Sequence, residues 1–291
     1  MRKLLLLSIF CPAIAVSQQR FHVTLFGGLS NYGGDLQDRQ FTLQQSNFAF
    51  GAGIKYDLSP HLALRLAYNH GSVEGDDKKS SDPVLRARNL SYLSKINEGN
   101  LLLEYTILNM EDRKVSPFIY SGITIFHFNP YAYDTLGNKV FLKPLSTEGQ
   151  GLAEYPDRKP YKLTQFAIPF GVGLKFRISD NTILAYEVTV RKTFTDYLDD
   201  VSKTYVDEFA LAQARGAKAV DMAFRGDELK DNATTYPGDG AVRGGSKYKD
   251  WYYFTGFTLY IGLGSGSGSG KAFGGRYRGG RRNQLGCPKV L

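Results

Sequence analysis

Few residues in this chain are spaced for chemistry. His70, Ser72 and Glu74 stand at i, i+2 and i+4. On an extended strand alternate residues share a side, so a base, a nucleophile and an acid could line one rim and hydrolyse an ester. Sharing a side does not create the hydrogen bonds that activate a serine, and a polar strand end is the better reading. Asp76-Asp77 and Asp199-Asp200 offer carboxylates to calcium, but neither pair lies in a ligand loop of fixed spacing. Solvated loop charge or helix capping accounts for both. Gly33-Gly34 and Gly149-x-Gly151 lack the strand-to-helix unit and the lysine of a phosphate loop. The two cysteines, Cys11 and Cys287, are too few for a disulfide framework or a cysteine-ligated zinc site. The expectation is a protein that is not an enzyme and has no cofactor and no metal site.

The elements that would position these residues are strands. Glycine is abundant, at 32 of 291 residues, and Tyr and Phe number 19 each, a composition that favours sheet over helix. No apolar run is long enough for a transmembrane helix. The mean hydropathy of −0.28 suggests solubility, but a β-barrel hides its apolar surface in alternation.

The first residues read as an export signal. Arg2-Lys3 precede the apolar run from Leu4 to Phe10, and small-x-small sites follow. Cleavage is expected after Ser17, so that residues 1–17 are a signal peptide and Gln18 begins the mature chain. Bulky Phe10 before Cys11 argues against lipidation. The remaining charge divides sharply. Residues 18–264 are neutral overall, while residues 265–291 carry Lys271, Arg276, Arg278, Arg281, Arg282 and Lys289 and no acid. The basic isoelectric point therefore reports a Gly-Ser-opened tail. Nucleic acid is not expected as a partner, because an exported chain meets little of it.

Residues 18–264 repeat a period of two eight times. Phe48, Phe50, Ala52 and Ile54 alternate with Ala49, Gly51, Gly53 and Lys55; Phe166, Ile168, Phe170, Val172 and Leu174 alternate with Ala167, Pro169, Gly171, Gly173 and Lys175. Comparable strands start near Phe21, Leu62, Leu101, Leu184 and Trp251. One near residues 118–128 is apolar on both faces, and its sides are left unassigned. A soluble sandwich would have to bury Lys55, Arg65, Glu104, Lys175, Arg177, Glu187 and Arg191 in its core, which is costly. A small barrel can pair them in its lumen. The predicted fold is all-β, an eight-stranded antiparallel transmembrane β-barrel, with Arg65, Glu104, Lys175, Arg177, Glu187 and Arg191 forming an inward charge network.

Connections alternate between short and long. Short turns are expected at residues 58–61, 111–117 and 179–182, and long ones at residues 32–47, 70–97, 129–162 and 195–249. Outer-membrane barrels combine short periplasmic turns with long external loops, and an even strand count puts both termini in the periplasm. A short helix is expected in the last external loop, over residues 201–224, with Asp199-Asp200 ahead of it. In the final strand, Phe254-x-Gly256-x-x-Leu259-x-Ile261 resembles the signal read by barrel-assembly machinery.

Longer blocks carry a more specific resemblance. Residues 31–36 (NYGGDL), 116–120 (SPFIY), 126–130 (FHFNP), 144–151 (PLSTEGQG) and 193–202 (TFTDYLDDVS) resemble the PorG family in order and content. PorG is the outer-membrane barrel component of the Bacteroidetes type IX secretion system. The resemblance spans residues 21–263 and implies a non-catalytic part in protein secretion, anchoring or assembling a periplasmic ring of PorK and PorN at the outer membrane. The alternative is a surface adhesin or a structural outer-membrane barrel. Chemistry alone suggests a role for the tail. Lys271, Arg276, Arg278, Arg281 and Arg282 would attract an acidic partner, and Cys287, alone after signal cleavage, could form an intermolecular disulfide.

Overall fold

A computed structural model describes residues 20–37, 45–230, 235–247 and 249–263. The expected signal peptide and the basic tail with Cys287 lie outside the described residues. Ten strands are present among the described residues: β1 (Phe21–Gly33), β2 (Asn47–Asp57), β3 (Leu62–Asp76), β4 (Ser91–Thr106), β5 (Val115–His127), β6 (Tyr131–Tyr133), β7 (Lys139–Phe141), β8 (Thr164–Ser179), β9 (Thr182–Thr193) and β10 (Trp251–Gly262). Eight of them close a barrel in the order β1-β2-β3-β4-β5-β8-β9-β10, every neighbour antiparallel. The first strand pairs with the last, from His22 opposite Gly262 to Gly33 opposite Trp251. Short β6 and β7 form a hairpin that joins β4 beyond the barrel through Tyr131 opposite Leu93.

The alternation in sequence becomes an inside-out barrel. Phe48, Phe50, Leu66, Leu101, Ile123, Phe166, Val172 and Phe257 face outward and are exposed, Phe48 by 87%. Lys55, Arg65, Glu104, Lys175, Glu187 and Arg191 face inward and are buried. An outer surface of this kind is matched to hydrocarbon, not to water. The strand that the sequence left unassigned is resolved here: in β5, Ile119, Ile123 and Ile125 point out while Phe118, Tyr120 and Phe126 point in.

Local chemistry sets the short turns. Ser59 Oγ accepts from the backbone N–H groups of His61 and Leu62, which fixes the β2–β3 turn beside Pro60. Asn109 Oδ1 accepts from Glu111 N–H between β4 and β5. β8 and β9 are joined through Asp180-Asn181, with a register shift between Arg177 and Ser179.

Two sequence expectations change. Half of the loop expected over residues 70–97 is strand, since β3 and β4 remain paired as far as Asp76 opposite Ser91. Only a 3-10 turn and the helix α1 (Pro83–Arg88), capped by Asp82, remain between them. The helix expected over residues 201–224 is two helices, α2 (Glu208–Arg215) and α3 (Ala217–Ala223). Its cap is Asp207, which accepts from Ala210 N–H at 2.8 Å, and Gly216 at φ 86 separates the halves. Residues 201–206 are not helical, and buried Glu148 accepts from the backbone N–H groups of Ser202 and Lys203 there.

Rings stack over backbone inside the barrel. A Cβ on Gly171 would overlap the ring of Tyr120, and one on Gly173 would meet Phe118. Gly171→Leu is therefore expected to destabilise the barrel by about 1–3 kcal/mol through overpacking. Urea unfolding in detergent micelles, followed by tyrosine and tryptophan fluorescence, measures this; an unchanged midpoint would mean that Tyr120 does not cover that backbone.

Candidate functional site

The lumen holds a charge network rather than a channel. Glu104 on β4 is fully buried and lies 2.5 Å from Lys175 Nζ, 3.6 Å from Arg65 Nη1 and 3.8 Å from Lys55 Nζ. Arg65 also pairs with Glu187 at 3.0 Å, and Lys55 with Asp57 at 2.7 Å. Nearer the long-loop end Arg191 pairs with Glu98 at 2.6 Å, and Tyr252 donates to Glu98 at 2.7 Å. Four cations meet four carboxylates. Rings fill the space between them: the Arg65 guanidinium lies 4.4 Å from the Tyr120 ring centre, and that of Arg191 4.3 Å from Phe254.

Four of the six predicted network residues, Arg65, Glu104, Lys175 and Glu187, thus meet, while Arg191 is buried in the same lumen and pairs with Glu98 instead. Arg177 does neither. It stands at the short-turn rim and donates to the backbone carbonyl of Glu111 at 3.2 Å, because it lies two residues beyond Lys175 on β8, past the end of the lumen. Glu98 was missed, since β4 was expected to begin only at Leu101. The carboxylate needed by Arg191 was the available signal.

Removal of one partner leaves charges buried. Glu104→Ala strands Lys175 and weakens the hold on Arg65 and Lys55, and a cost of about 3–5 kcal/mol is expected. The heat-induced mobility shift on cold gels reports it: the folded band should be lost at a lower temperature, whereas Glu111→Ala at the rim should leave it unmoved.

The long loops build a second, denser site. Tyr32 at the end of β1 donates to Asp199 Oδ2 at 2.6 Å and accepts from Leu36 N–H. Asp200, in the left-handed region at φ 67, accepts from Tyr161 at 2.6 Å and from Thr147 at 2.5 Å. Glu148 accepts from the backbone N–H groups of Ser202 and Lys203 and pairs with Arg243 at 3.0 Å. Asp250 accepts from Leu198 N–H, and Asp196 from Ser202 Oγ. Arg88 grips Asp77 with two nitrogens, each at 2.8 Å, and donates to the carbonyls of Asp35 and Arg243. Three separate sequence blocks, residues 31–36, 144–151 and 193–202, therefore form one buried cap.

The cap holds more carboxyls than cations. Asp77, Glu148, Asp196, Asp199, Asp200 and Asp250 are buried with Arg88, Arg225 and Arg243, and Arg225 is engaged by Glu228. Burial pushes the Asp199 and Asp250 carboxyls well above the usual range, helped by repulsion from Asp35 and from Asp199 respectively. Burial also raises Asp200 to about 6, against the pull of Arg243, and Asp196 to about 6. Asp199 and Asp200 turn to different partners, and among the described residues no group of three His, Cys, Asp or Glu side chains is arranged to hold a metal ion.

The remaining sequence candidates are engaged separately. His70 Nδ1 bonds Asn97 Oδ1, whereas Glu74 faces Lys79 at 3.6 Å, so no base reaches Ser72 through them. Asp76 caps the 3-10 turn by accepting from Lys78 N–H. The residues of the assembly-signal pattern split across the wall: Phe254 and Gly256 face inward, Leu259 and Ile261 outward. Gly256 stands opposite Gly28 at the closing seam, where a Cβ on either would strike the other strand's backbone.

These features have a family. Residues 1–214 match a domain of unknown function, DUF6089. The chain belongs to the DUF6089 family. No curated protein matches it in sequence. Similar solved structures are small barrels. Neisserial surface protein A has 8% identity and a TM-score of 0.40, with 83% of this chain and 96% of that chain covered. The attachment invasion locus protein Ail of Yersinia pestis, solved with a heparin analogue, has 9% identity and a TM-score of 0.37, covering 83% and 98%. A major outer membrane protein from Thermus thermophilus has 15% identity and a TM-score of 0.38, covering 83% and 98%. The DUF6089 match takes in the cap blocks at residues 31–36, 144–151 and 193–202, and it ends inside α2.

The raised carboxyls give the cap a pH dependence. Groups near 6 in the folded cap, against about 3.9 in an unfolded chain, hold protons that the unfolded chain releases. Their stabilising contribution is complete below about pH 4 and is lost as pH rises through about 6. Hydrogen exchange at Leu198, Val201 and Ser202, corrected for intrinsic rates, should be slower at pH 5 than at pH 8, with lumen-strand amides unaffected. Equal protection at both would contradict the assignment.

Proposed function

We propose that the protein is an outer-membrane barrel serving the type IX secretion system as a non-catalytic component, which anchors or assembles the periplasmic PorK and PorN ring. The observation that carries this reading is the convergence of the PorG-like blocks. Residues 31–36, 144–151 and 193–202 are far apart in sequence, yet they supply both partners of the Tyr32–Asp199, Thr147–Asp200 and Glu148–Ser202 contacts. Sequence similarity concentrated in one buried assembly is what a shared architecture would leave. The filled lumen fits an anchor: its paired charges and stacked rings give no passage for folded cargo.

In this reading the long-loop cap faces outward. The short-turn end faces the periplasm, and Phe21 and Gly262 both lie there, bringing the tail to the ring. The tail's arginines attract an acidic ring surface, a contact that salt weakens because the Debye length is about 8 Å at physiological strength. A disulfide through Cys287 would survive salt. A surface adhesin or a structural barrel would instead meet its partner through the cap.

Deletion of the gene is expected to stop export of type IX cargo, and crosslinking in intact cells from the short turns and from Cys287 is expected to capture the ring proteins. Cys287→Ser should remove a reductant-sensitive high-mass species from envelopes. Normal secretion in the deletion strain, with partners captured only through the long loops, would favour the adhesin reading and overturn this one. Secretion unaffected by removal of residues 271–291 would refute the tail contact alone.

A further inference from the structure

The apolar outer face changes character along one arc. In one pairing row, Phe50 on β2, His70 on β3, Asn97 on β4, His127 on β5 and Thr164 on β8 stand side by side. The outward positions two residues nearer the short turns are Tyr68, Gly99, Ile125 and Phe166, three of them large and exposed. Beyond the row, toward the long loops, come exposed Lys95 and Lys162. The arc is thus where the apolar belt ends and positive and hydrogen-bonding groups begin.

The two imidazoles of the row are held in place. Asn97 Oδ1 accepts from Tyr68 at 2.7 Å and lies 2.8 Å from His70 Nδ1, so His70 presents Nε2 away from the strand. His127 Nδ1 lies 3.0 Å from Thr164 Oγ1. Among the described residues neither Lys95, Lys162 nor His127 is paired with a carboxylate, and Glu74, the acid nearby on β3, faces Lys79. Lysine ammonium groups without a carboxylate partner, set beside oriented imidazoles at the hydrocarbon boundary, call for an anion located at that depth. Phosphate groups of lipid lie there, and each lysine near such a surface contributes about 1 kcal/mol. A lysine stem can lie along apolar wall while its ammonium reaches the headgroup.

We propose that the arc on β3, β4, β5 and the start of β8, centred on Lys95, His127 and Lys162, binds the phosphorylated headgroup of a membrane lipid. Asn97 and Thr164 orient the imidazoles, and the lipid chains descend over Ile125 and Phe166. This rests only on the apolar belt lying in a bilayer and is independent of any part in secretion.

The test uses the full chain, purified in detergent and mixed with bisphosphorylated lipid A or with lipid A from which both phosphates have been removed. Native mass spectrometry counts the lipid retained. The wild-type protein should retain the bisphosphorylated form, and Lys95→Gln combined with His127→Gln and Lys162→Gln should lower retention by roughly tenfold. The single variants Lys95→Gln and His127→Gln should show smaller losses, which guards against misfolding of the triple variant. Lys114→Gln at the opposite rim should retain lipid as the wild type does. Equal retention of both lipids, equal loss in Lys114→Gln, or displacement of lipid A by millimolar inorganic phosphate would each overturn the proposal.

Discussion

Everything in this molecule depends on the closure of the sheet. A strand placed in hydrocarbon has no water for its N–H and C=O groups, so each must find a partner on a neighbouring strand. The pairing of β1 with β10 satisfies the two edges at once, and it runs the full length of both strands. Gly28 opposite Gly256 lets them approach without collision. Once the wall closes, its inner face is fixed by alternation, and whatever the sequence places there must be satisfied inside.

The two ends of that enclosed space solve the problem of buried charge differently. In the lumen, opposite charges balance, and each carboxylate has a cation within reach. In the cap, carboxyls exceed cations, and backbone N–H groups, tyrosines and threonines supply the remaining hydrogen bonds. A balanced pair tolerates a wide range of pH. An acid-rich cluster tolerates burial best when some of its members keep their protons. The cap is therefore the part of the fold most responsive to its surroundings, and it rests on a barrel that is not.

The family match and the physical reading meet at the cap. DUF6089 takes in the blocks that build it. Their residues are used for contacts with each other: Glu148 ties down residues 202–203, and Tyr32 reaches Asp199. The outer wall is a separate functional surface. The arc around Lys95 and His127 faces neither lumen nor cap, and only its position above Ile125 and Phe166 gives it meaning.

The strand alternation was legible in sequence because it has a period of two, and each residue's side follows from its neighbours alone. Hence Glu104, Lys175 and Arg65 could be assigned to one interior before any partner was known. Turn chemistry was equally local, as Ser59-Pro60 and Asp180-Asn181 show. Tertiary structure decided what depends on distant partners. β5 is apolar on both faces, and its orientation emerged only when Phe118 and Tyr120 covered Gly173 and Gly171, their partners on the neighbouring strand β8. The length of β3 and β4 beyond the belt was hidden because those residues contact loops rather than lipid, and Glu98 was hidden with them. Asp199-Asp200 looked like the start of a helix, a local inference. Tyr32, from the end of β1, and Thr147 and Tyr161, from the connection that precedes β8, made them the centre of the cap instead, because a buried carboxyl takes the strongest donors that folding delivers.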